Sequence, residues 1–226
     1  MWIRNIPAEC LLVLGGALSF AITGCSVCPL QGVHAASFGP STVSIHQMGG
    51  GINVADAPDG ADLSTMGGDI HLGSAGAFAK LKTMGGDIRI ERVAGPVEAS
   101  TMGGKITIGG AGSAVSASTM GGDVTVRLTG ANSAGRDVSL SSKGGTIQLT
   151  VPRDFSMDVR IKLAYTKGHE NVGVVQHLGL TERQTTEWDS GQGTPRKYIY
   201  VTGKVGSGQN RVTIDTINGD VILKQE

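Results

Sequence analysis

A Met-Gly-Gly tripeptide recurs at a fixed spacing in the middle of the chain. Consecutive copies are 18 residues apart, and they begin at Met48, Met66, Met84, Met102 and Met120. A related turn, Lys143-Gly144-Gly145, follows 23 residues after the fifth copy, and Asn218-Gly219-Asp220 lies near the C-terminus. Such a period predicts a stack of repeated structural units, because a unit this small cannot bury its apolar face alone.

The residues on both sides of each turn alternate between apolar and polar. In the fourth copy Val97 and Ala99 precede the turn, and Ile106 and Ile108 follow it. A period of two predicts a strand on each side of the turn. We expect the Gly-Gly pair to supply positive φ at this bend, and a second corner of small residues to close each repeat, as at 73–76, 93–96 and 109–112.

Two topologies fit this pattern, a meander of hairpins and a solenoid whose coils stack in register. Stacked coils lie about 4.8 Å apart, which favours identical residues at equivalent positions, whereas a meander does not require that identity. A left-handed hexapeptide helix has coils of similar length, but steps of six from Ile70 reach Gly76 and Lys82. We therefore predict an all-β fold, a single parallel β-helix or β-solenoid with ~18-residue coils, over residues 41–226.

At least seven coils are predicted, regular over 41–150 and irregular, with a final coil, over 151–226. Val159, Ile161 and Leu163 alternate ahead of Lys167-Gly168, which predicts a further, broader coil. We expect another strand at 198–201 and a Gly-rich loop at 203–210. The larger side chains of this segment are predicted to cap or flank the stack, because the ends of a solenoid need covering.

The first residues have the pattern of an export signal. Arg4 is followed by an apolar stretch over 10–22 that is too short to span a membrane. Ile22-Thr23-Gly24-Cys25 resembles a bacterial lipobox, which predicts a lipoprotein signal peptide over 1–24, lipidation of Cys25 and a linker over 25–40. A diacylated cysteine would anchor the protein at the outer membrane or cell surface. The alternative is cleavage after Val33-His34-Ala35, which would release a soluble periplasmic protein.

Composition narrows the possible partners and the type of core. Basic and acidic residues are equal at 19 each, so no overall field attracts nucleic acid, and none is predicted as a partner. The chain has 36 glycines and only 4% aromatic residues, which indicates many tight turns and a core of small aliphatic side chains. Only Cys28 would accompany Cys25 after processing, so no disulfide framework is possible beyond a pair with an unlipidated Cys25.

Two rows of side chains run beside the predicted turns. The first row, predicted to be an inward or corner structural ladder of hydroxyl groups, consists of Thr65, Thr83, Thr101 and Thr119. The second lies at the opposite parity and forms a candidate outward interaction ridge of Met48, Met66, Met84, Met102 and Met120. An exposed apolar strip often marks a contact surface, and the alternative is that a later segment packs over it.

The acidic residues after the turns are candidates for a metal site. Asp69, Asp87 and Asp123 occupy equivalent positions, and stacked carboxylates suggest calcium. Lys105 holds the same position in the coil between them, where its ammonium group would repel a cation. Calcium also needs six to eight oxygen ligands. No metal site and no cofactor are therefore predicted.

Enzymatic activity is an alternative function, because some polysaccharide lyases and hydrolases also have a parallel β-helix fold. Such chemistry needs paired acids, and the regular repeats contain none. The irregular segment 167–195 holds the acid-rich set His169, Glu170, His177, Glu182, Glu187, Trp188 and Asp189. Its spacing matches neither a metal site nor a catalytic triad, so no catalytic residue is predicted.

The C-terminal segments carry a resemblance to a known family. Thr216 to Val221 has the pattern Thr-x-Asn-Gly-Asp-Val, and it is preceded by a Gly-rich stretch at 203–208 and by Val-Pro-Arg-Asp-Phe at 151–155. In these segments, and over roughly 41–226, the chain resembles an adhesin-like family of exported β-helical bacterial proteins of unknown function. It departs from the family's usual Asn/Ser-Gly-Asp turn by using Met-Gly-Gly in five coils.

The resemblance implies adhesion, although the family supplies no binding residue to transfer. We therefore expect a non-enzymatic cell-envelope module that binds or scaffolds an envelope or surface ligand, either protein or glycan. One alternative is an enzyme acting on envelope polysaccharides. The other is a soluble periplasmic factor in stress or quality control, which cleavage after Ala35 would favour.

Overall fold

The computed structural model describes residues 33–35 (backbone only), 42–130, 134–176, 178–191 and 193–226. Its 19 strands form two sheets in which parallel pairing dominates, and this confirms the predicted all-β solenoid. Within the described residues no helix is long and apolar enough to cross a membrane. The predicted signal peptide, the lipobox with Cys25, and Cys28 lie outside the described residues.

Sheet A contains nine strands. In stacking order they are β1 (Val33–Ala35), β3 (Ile52–Ala57), β5 (Ile70–Ala75), β7 (Ile88–Val93), β9 (Ile106–Ala111), β11 (Val124–Leu128), β13 (Ile147–Val151), β19 (Val221–Gln225) and β15 (Val174–Gln176). Strand β1 falls inside the segment 25–40 that was predicted as a linker, so strand pairing begins before residue 41.

Sheet B contains ten strands. From the N-terminal end of the stack they are β2 (Val43–Gln47), β4 (Ala61–Thr65), β6 (Ala79–Lys82), β8 (Val97–Ser100), β10 (Val115–Thr119), β12 (Val138–Ser142), β18 (Asn210–Ile217), β14 (Met157–Thr166), β17 (Arg196–Val205) and β16 (Thr181–Gln184). Eight coils therefore contribute one strand to each sheet, which agrees with the prediction of at least seven.

The regular coils stack with identical positions directly above one another. Leu63 pairs with Leu81 in sheet B, and Ile70 pairs with Ile88 in sheet A. Ile70, Ile88 and Ile106 form one inward row, each at most 1% exposed. Each such side chain contributes about 2 kcal/mol through burial. Because inward residues alternate with outward ones, the two sheets share one aliphatic core along the stack.

The predicted threonine ladder is confirmed, and each hydroxyl has a definite role. Thr101 Oγ1 donates to the carbonyl oxygen of Gly86 in the preceding coil at 3.0 Å. The same oxygen accepts from the amide of Gly104 in its own coil at 3.2 Å. Thr83 and Thr119 repeat both bonds. The ladder thus joins consecutive turns by satisfying buried backbone groups that would otherwise be unpaired.

The prediction that the Gly-Gly pair supplies positive φ is wrong for four of the five Met-Gly-Gly turns. Among the five Met-Gly-Gly turns only Gly50 has a positive φ, of 85°. The second glycine is required for close stacking instead, since a Cβ on Gly104 would lie 1.9 Å from the carbonyl oxygen of Gly86. A Cβ on the first glycine, Gly103, would lie 3.7 Å from the nearest atom, Gly85 O, which is an ordinary contact.

The order of the last coils in the stack differs from their order in the chain. Strand β18 pairs in parallel with β12 on one side and with β14 on the other. Likewise β19 lies between β13 and β15. The C-terminal coil is therefore inserted between two earlier coils. The predicted broader coil exists, as β14 and β15, but it stacks beyond the C-terminal coil.

The far end of sheet B is covered by antiparallel strands. Strand β17 pairs antiparallel with β14, and β16 pairs antiparallel with β17. Strand β16 has only four residues, all exposed, and carries Glu182 and Arg183. Short, charged edge strands oppose pairing with another chain, so this end is protected against uncontrolled growth of the sheet.

The longer interval before Lys143 accommodates a buried arginine. Arg136 is 2% exposed and donates to the carbonyl oxygens of Ala111, at 3.1 Å, and Thr129, at 2.6 Å. Its guanidinium lies 5.3 Å from the ring centre of Phe155, which is also buried. Burial lowers the pKa of Arg136 from its usual range, and the nearby Asp154 carboxylate opposes that shift. Arg136 thus ties the insertion to the core.

Candidate functional site

The methionine ridge, defined as Met48, Met66, Met84, Met102 and Met120, is an exposed row along one corner of the solenoid. Its side chains are 43% exposed at Met84 and 81% exposed at Met48. Each methionine follows a buried threonine or, at Met48, the last residue of β2, so the alternation of the strand directs it outward. No described segment packs over the ridge, and the predicted outward direction is confirmed.

The row of the methionine ridge continues to the opposite end of sheet B. Lys143 and Ile217 hold the ridge position in the next two coils, one residue beyond the pair Ser142 and Thr216. Ala164 pairs with Ile217, and Tyr198 pairs with Ala164. Nine rows at about 4.8 Å give a length of about 38 Å. Lys143 is charged and Ala164 is buried, so the exposed apolar part is the methionine ridge itself.

Polar residues border the methionine ridge on both sides. On one side lie the outward residues of sheet B two positions earlier, among them Ser64, Lys82 and Ser100. On the other side the first glycines expose bare backbone, followed by residues such as Asp87 and Lys105. An apolar centre with a polar rim is the usual organisation of a protein–protein contact.

The acidic row after the turns has a structural role. Asp69 Oδ1 accepts from the amide of Asp87 at 2.8 Å, and Asp87 Oδ1 accepts from the amide of Lys105 at 2.7 Å. Asp123 makes the same bond to the next coil, and Lys105 Nζ lies 3.7 Å from its Oδ2. In the described residues no three His, Cys, Asp or Glu side chains come together as metal ligands. The carboxylates therefore cap backbone amides between coils.

The acid-rich set of segment 167–195 is spread over several elements. Glu182 lies on the edge strand β16, and Glu187 is exposed in the connection that follows. Asp189 bridges Arg196 through the backbone, and its carboxylate accepts from the amide of Gly191 at 2.9 Å. His177 lies outside the described residues. The structure does not bring the described members of the set together into one site.

Trp188 covers the end of the apolar core. Its ring packs edge-to-face against the buried Tyr165, with 6.0 Å between the ring centres. Lys167 and Lys197 place their Nζ atoms 5.7 Å and 5.0 Å from its ring centre. Such contacts hold the lysines near the aromatic ring. The prediction that larger residues of this segment cap the stack is confirmed.

A second aromatic pair lies on the outer face of sheet B, and sequence reasoning assigned it no role. Tyr198 and Tyr200 are half-buried neighbours on β17, with ring centres 5.9 Å apart and planes inclined by 25°. The ammonium group of Lys162 lies 5.1 Å from the centre of the Tyr198 ring. A signal was present in the sequence, because all three tyrosines lie between residues 165 and 200.

No family model, no curated protein and no solved structure matches the chain. The resemblance to the adhesin-like family therefore stays a prediction based on the motifs given above.

Proposed function

We propose that the chain is a non-enzymatic binding or scaffold module of the bacterial cell envelope, of the adhesin type, that holds a protein partner along the methionine ridge. The observation that carries this proposal is the contiguous row of five methionines, each at least 43% exposed. Soluble monomers rarely leave such a strip open, and methionine side chains adapt to irregular apolar partners.

A protein partner fits the methionine ridge better than a glycan. The five side chains carry no hydroxyl, amide or charged group that would bind sugar hydroxyls. Their stacking on a rigid sheet lowers the entropy lost on binding, because only the side chains have to be ordered. The polar rim would then set the orientation of the partner.

Lipid anchoring through Cys25 belongs to this proposal, and strand β1 supports it. Val33–Ala35 pair in parallel with Ile52, Asn53 and Val54 of β3 at the edge of sheet A. Cleavage after Ala35 would detach β1 and leave the six-residue β3 as an open edge. Cleavage before Cys25 retains β1 on the same chain as its partner strand.

The contact surface is tested by photo-crosslinking in cells. p-Benzoylphenylalanine replaces Met84 on the ridge, and in a control protein it replaces Thr125 on the outer face of sheet A. We expect a discrete crosslinked protein from position 84 and none from position 125. Adding Met66→Lys and Met102→Lys abolishes the product by charging the ridge, whereas Asn53→Lys with Thr107→Lys on sheet A leaves it unchanged.

Three results bear against the proposal. Equal crosslinking from positions 84 and 125 removes the special role of the methionine ridge. A mature protein that begins at Ala36, measured by intact mass, removes the lipid anchor. Turnover of peptidoglycan or another envelope polysaccharide that Glu187→Ala or Asp189→Ala abolishes replaces the binding module with the enzyme alternative.

A further inference from the structure

The outer face of the last four strands of sheet B, β18, β14, β17 and β16, differs from the rest of the sheet in charge. Strand pairing places five cationic side chains on this face, namely Arg160, Lys162, Arg183, Lys204 and Arg211. The same face carries two carboxylates, Asp158 and Asp215, and Arg160 Nη2 lies 3.5 Å from Asp158 Oδ2. The whole chain has no net charge, so the excess of cations here is local. At its rim the backbones of Arg196 and Asp189 pair, so the rim adds one charge of each sign.

The tyrosine pair lies inside this cationic area. Tyr200 pairs with Lys162 on one side and with Arg183 on the other, so cations flank its ring on both neighbouring strands. Tyr198 has the Lys162 ammonium 5.1 Å from its ring centre, and its hydroxyl donates to Asp189 Oδ2 at 3.4 Å. We call Tyr198, Tyr200, Arg160, Lys162 and Arg183 the tyrosine face.

Hydroxyl groups continue from the tyrosine face along the stack. Thr202 pairs with Arg160, Arg160 pairs with Thr213, and Thr213 pairs with Ser139. Ser139 pairs in turn with Ser116, which extends the row by another coil. A shallow depression of about 460 Å³ lies beside this row, and its polar lining consists of Ser116, Ser139, Thr213, Arg211 and one carboxylate, Asp137. The surface therefore offers aromatic, cationic and hydroxyl groups in neighbouring rows.

We propose that the tyrosine face binds an acidic polysaccharide. The apolar faces of its sugar rings pack on Tyr198 and Tyr200, whose rings are amphipathic and held by the sheet. Its carboxylates pair with Lys162, Arg160 and Arg183, and arginine favours carboxylates through paired hydrogen bonds. Its remaining hydroxyl groups bond to the row that includes Thr213 and Ser139. This site is separate from the methionine ridge and does not depend on the partner proposed there.

An acidic polysaccharide fits this face better than a single-stranded nucleic acid. Both ligands are polyanions and both would meet the carboxylates of Asp158 and Asp215, so charge alone does not separate them. A polysaccharide has uncharged hydroxyl groups between its carboxylates, and it can place these next to the serine and threonine side chains.

The test measures binding of alginate oligosaccharides to the full chain by calorimetry at low salt. Wild type binds, and its affinity falls as salt is raised, because charges are paired. Lys162→Glu lowers the affinity about tenfold or more by placing a like charge against the ligand. Lys82→Glu, in the same row of sheet B but four strands beyond Asp215, changes it less than about twofold. Unchanged melting temperatures show that both variants are folded.

A second pair of variants isolates the aromatic rings. Tyr198→Ala with Tyr200→Ala abolishes measurable binding, whereas Tyr198→Phe with Tyr200→Phe retains most of it because the rings remain. Absence of alginate binding by wild type overturns the proposal, as does equal loss in Lys162→Glu and Lys82→Glu. Tighter binding of a single-stranded oligonucleotide of equal charge assigns the face to nucleic acid instead and also overturns it. Lysines introduced on the methionine ridge at Met66 and Met84 leave alginate binding unchanged.

Discussion

The regular coils and the irregular C-terminal part of this solenoid are held together by different kinds of contact. Over 61–128 every coil repeats one arrangement, with an inward threonine, an outward methionine and a second glycine that lets turns approach closely. Over 152–211 the strand pairing becomes partly antiparallel, and this part of the chain contains all three tyrosines. The regular part is held by identical backbone contacts, and the irregular part by individual side chains.

This difference shows which side chains stabilise the stack and which remain as candidates for binding. In the regular coils the identical rows of Thr and Asp satisfy backbone groups of the neighbouring coil, so most of the repeat serves the stack itself. Among the described residues, the side chains of the methionine ridge repeat without such a contact. In the irregular part the unusual side chains cap the core or form the tyrosine face. Repetition alone is thus a poor guide to binding in this fold.

The close turns of the regular part give the largest expected effect. Gly104→Ala would place a methyl group against Gly86 O and should destabilise the protein by about 3 kcal/mol or more. Gly103→Ala is the matched control, since its Cβ has space and its φ is not positive, and it should be neutral or stabilising by about 0.5 kcal/mol. Urea unfolding of both variants measures the difference. Equal effects would mean that the two glycines have the same role.

The buried arginine tests whether a single side chain holds the insertion before Lys143 to the core and to Phe155 of the irregular part. Arg136→Met should lower the free energy of unfolding by about 2 kcal/mol or more, because the carbonyl oxygens of Ala111 and Thr129 lose a charged donor. Arg89→Met, at an exposed position of β7, should change it by less than about 0.5 kcal/mol. Chemical denaturation gives both values. A neutral Arg136→Met would show that the insertion is held by other contacts.

A substitution in the acidic row should give the smallest change in stability. It also distinguishes carboxylates that cap backbone amides from carboxylates that bind calcium. Asp87→Ala removes the acceptor of the Lys105 amide and should cost about 1 kcal/mol. Added calcium chloride should leave the melting temperatures of wild type and variant unchanged. Asp62→Ala, on the outer face of β4, controls for the loss of one carboxylate. A calcium-dependent rise in the wild-type melting temperature that Asp87→Ala removes would support a metal site.

The regular coils could be predicted from the sequence because their periodicity fixes both the strands and their stacking. The direction of Thr101 and Met102 follows from parity alone, and the structure confirms both. The need for glycine at the second position of each turn could not be predicted from the local sequence, because it arises from a close approach between residues of neighbouring coils. Local sequence suggested a positive φ, whereas Gly104 is needed for space.

The remaining features depend on contacts that no local pattern encodes. Arg136 looks like an ordinary surface arginine until the loop around it folds onto Phe155. The tyrosine face arises because β14, β17 and β16 pair across long separations in the chain, which brings Lys162 and Arg183 to either side of Tyr200. The inserted position of the C-terminal coil is also invisible to periodicity, since its turn repeats the same pattern wherever it stacks.

The inserted C-terminal coil has a consequence for the order in which the molecule can fold. Coils up to β13 can stack one after another as the chain is synthesised, since each needs only the coil before it. Strand β14 finds its parallel partner only when β18, made more than forty residues later, is present. The distal end of the stack is therefore closed by β18 and β19, and the synthesis of these two strands sets the earliest time at which that end can form.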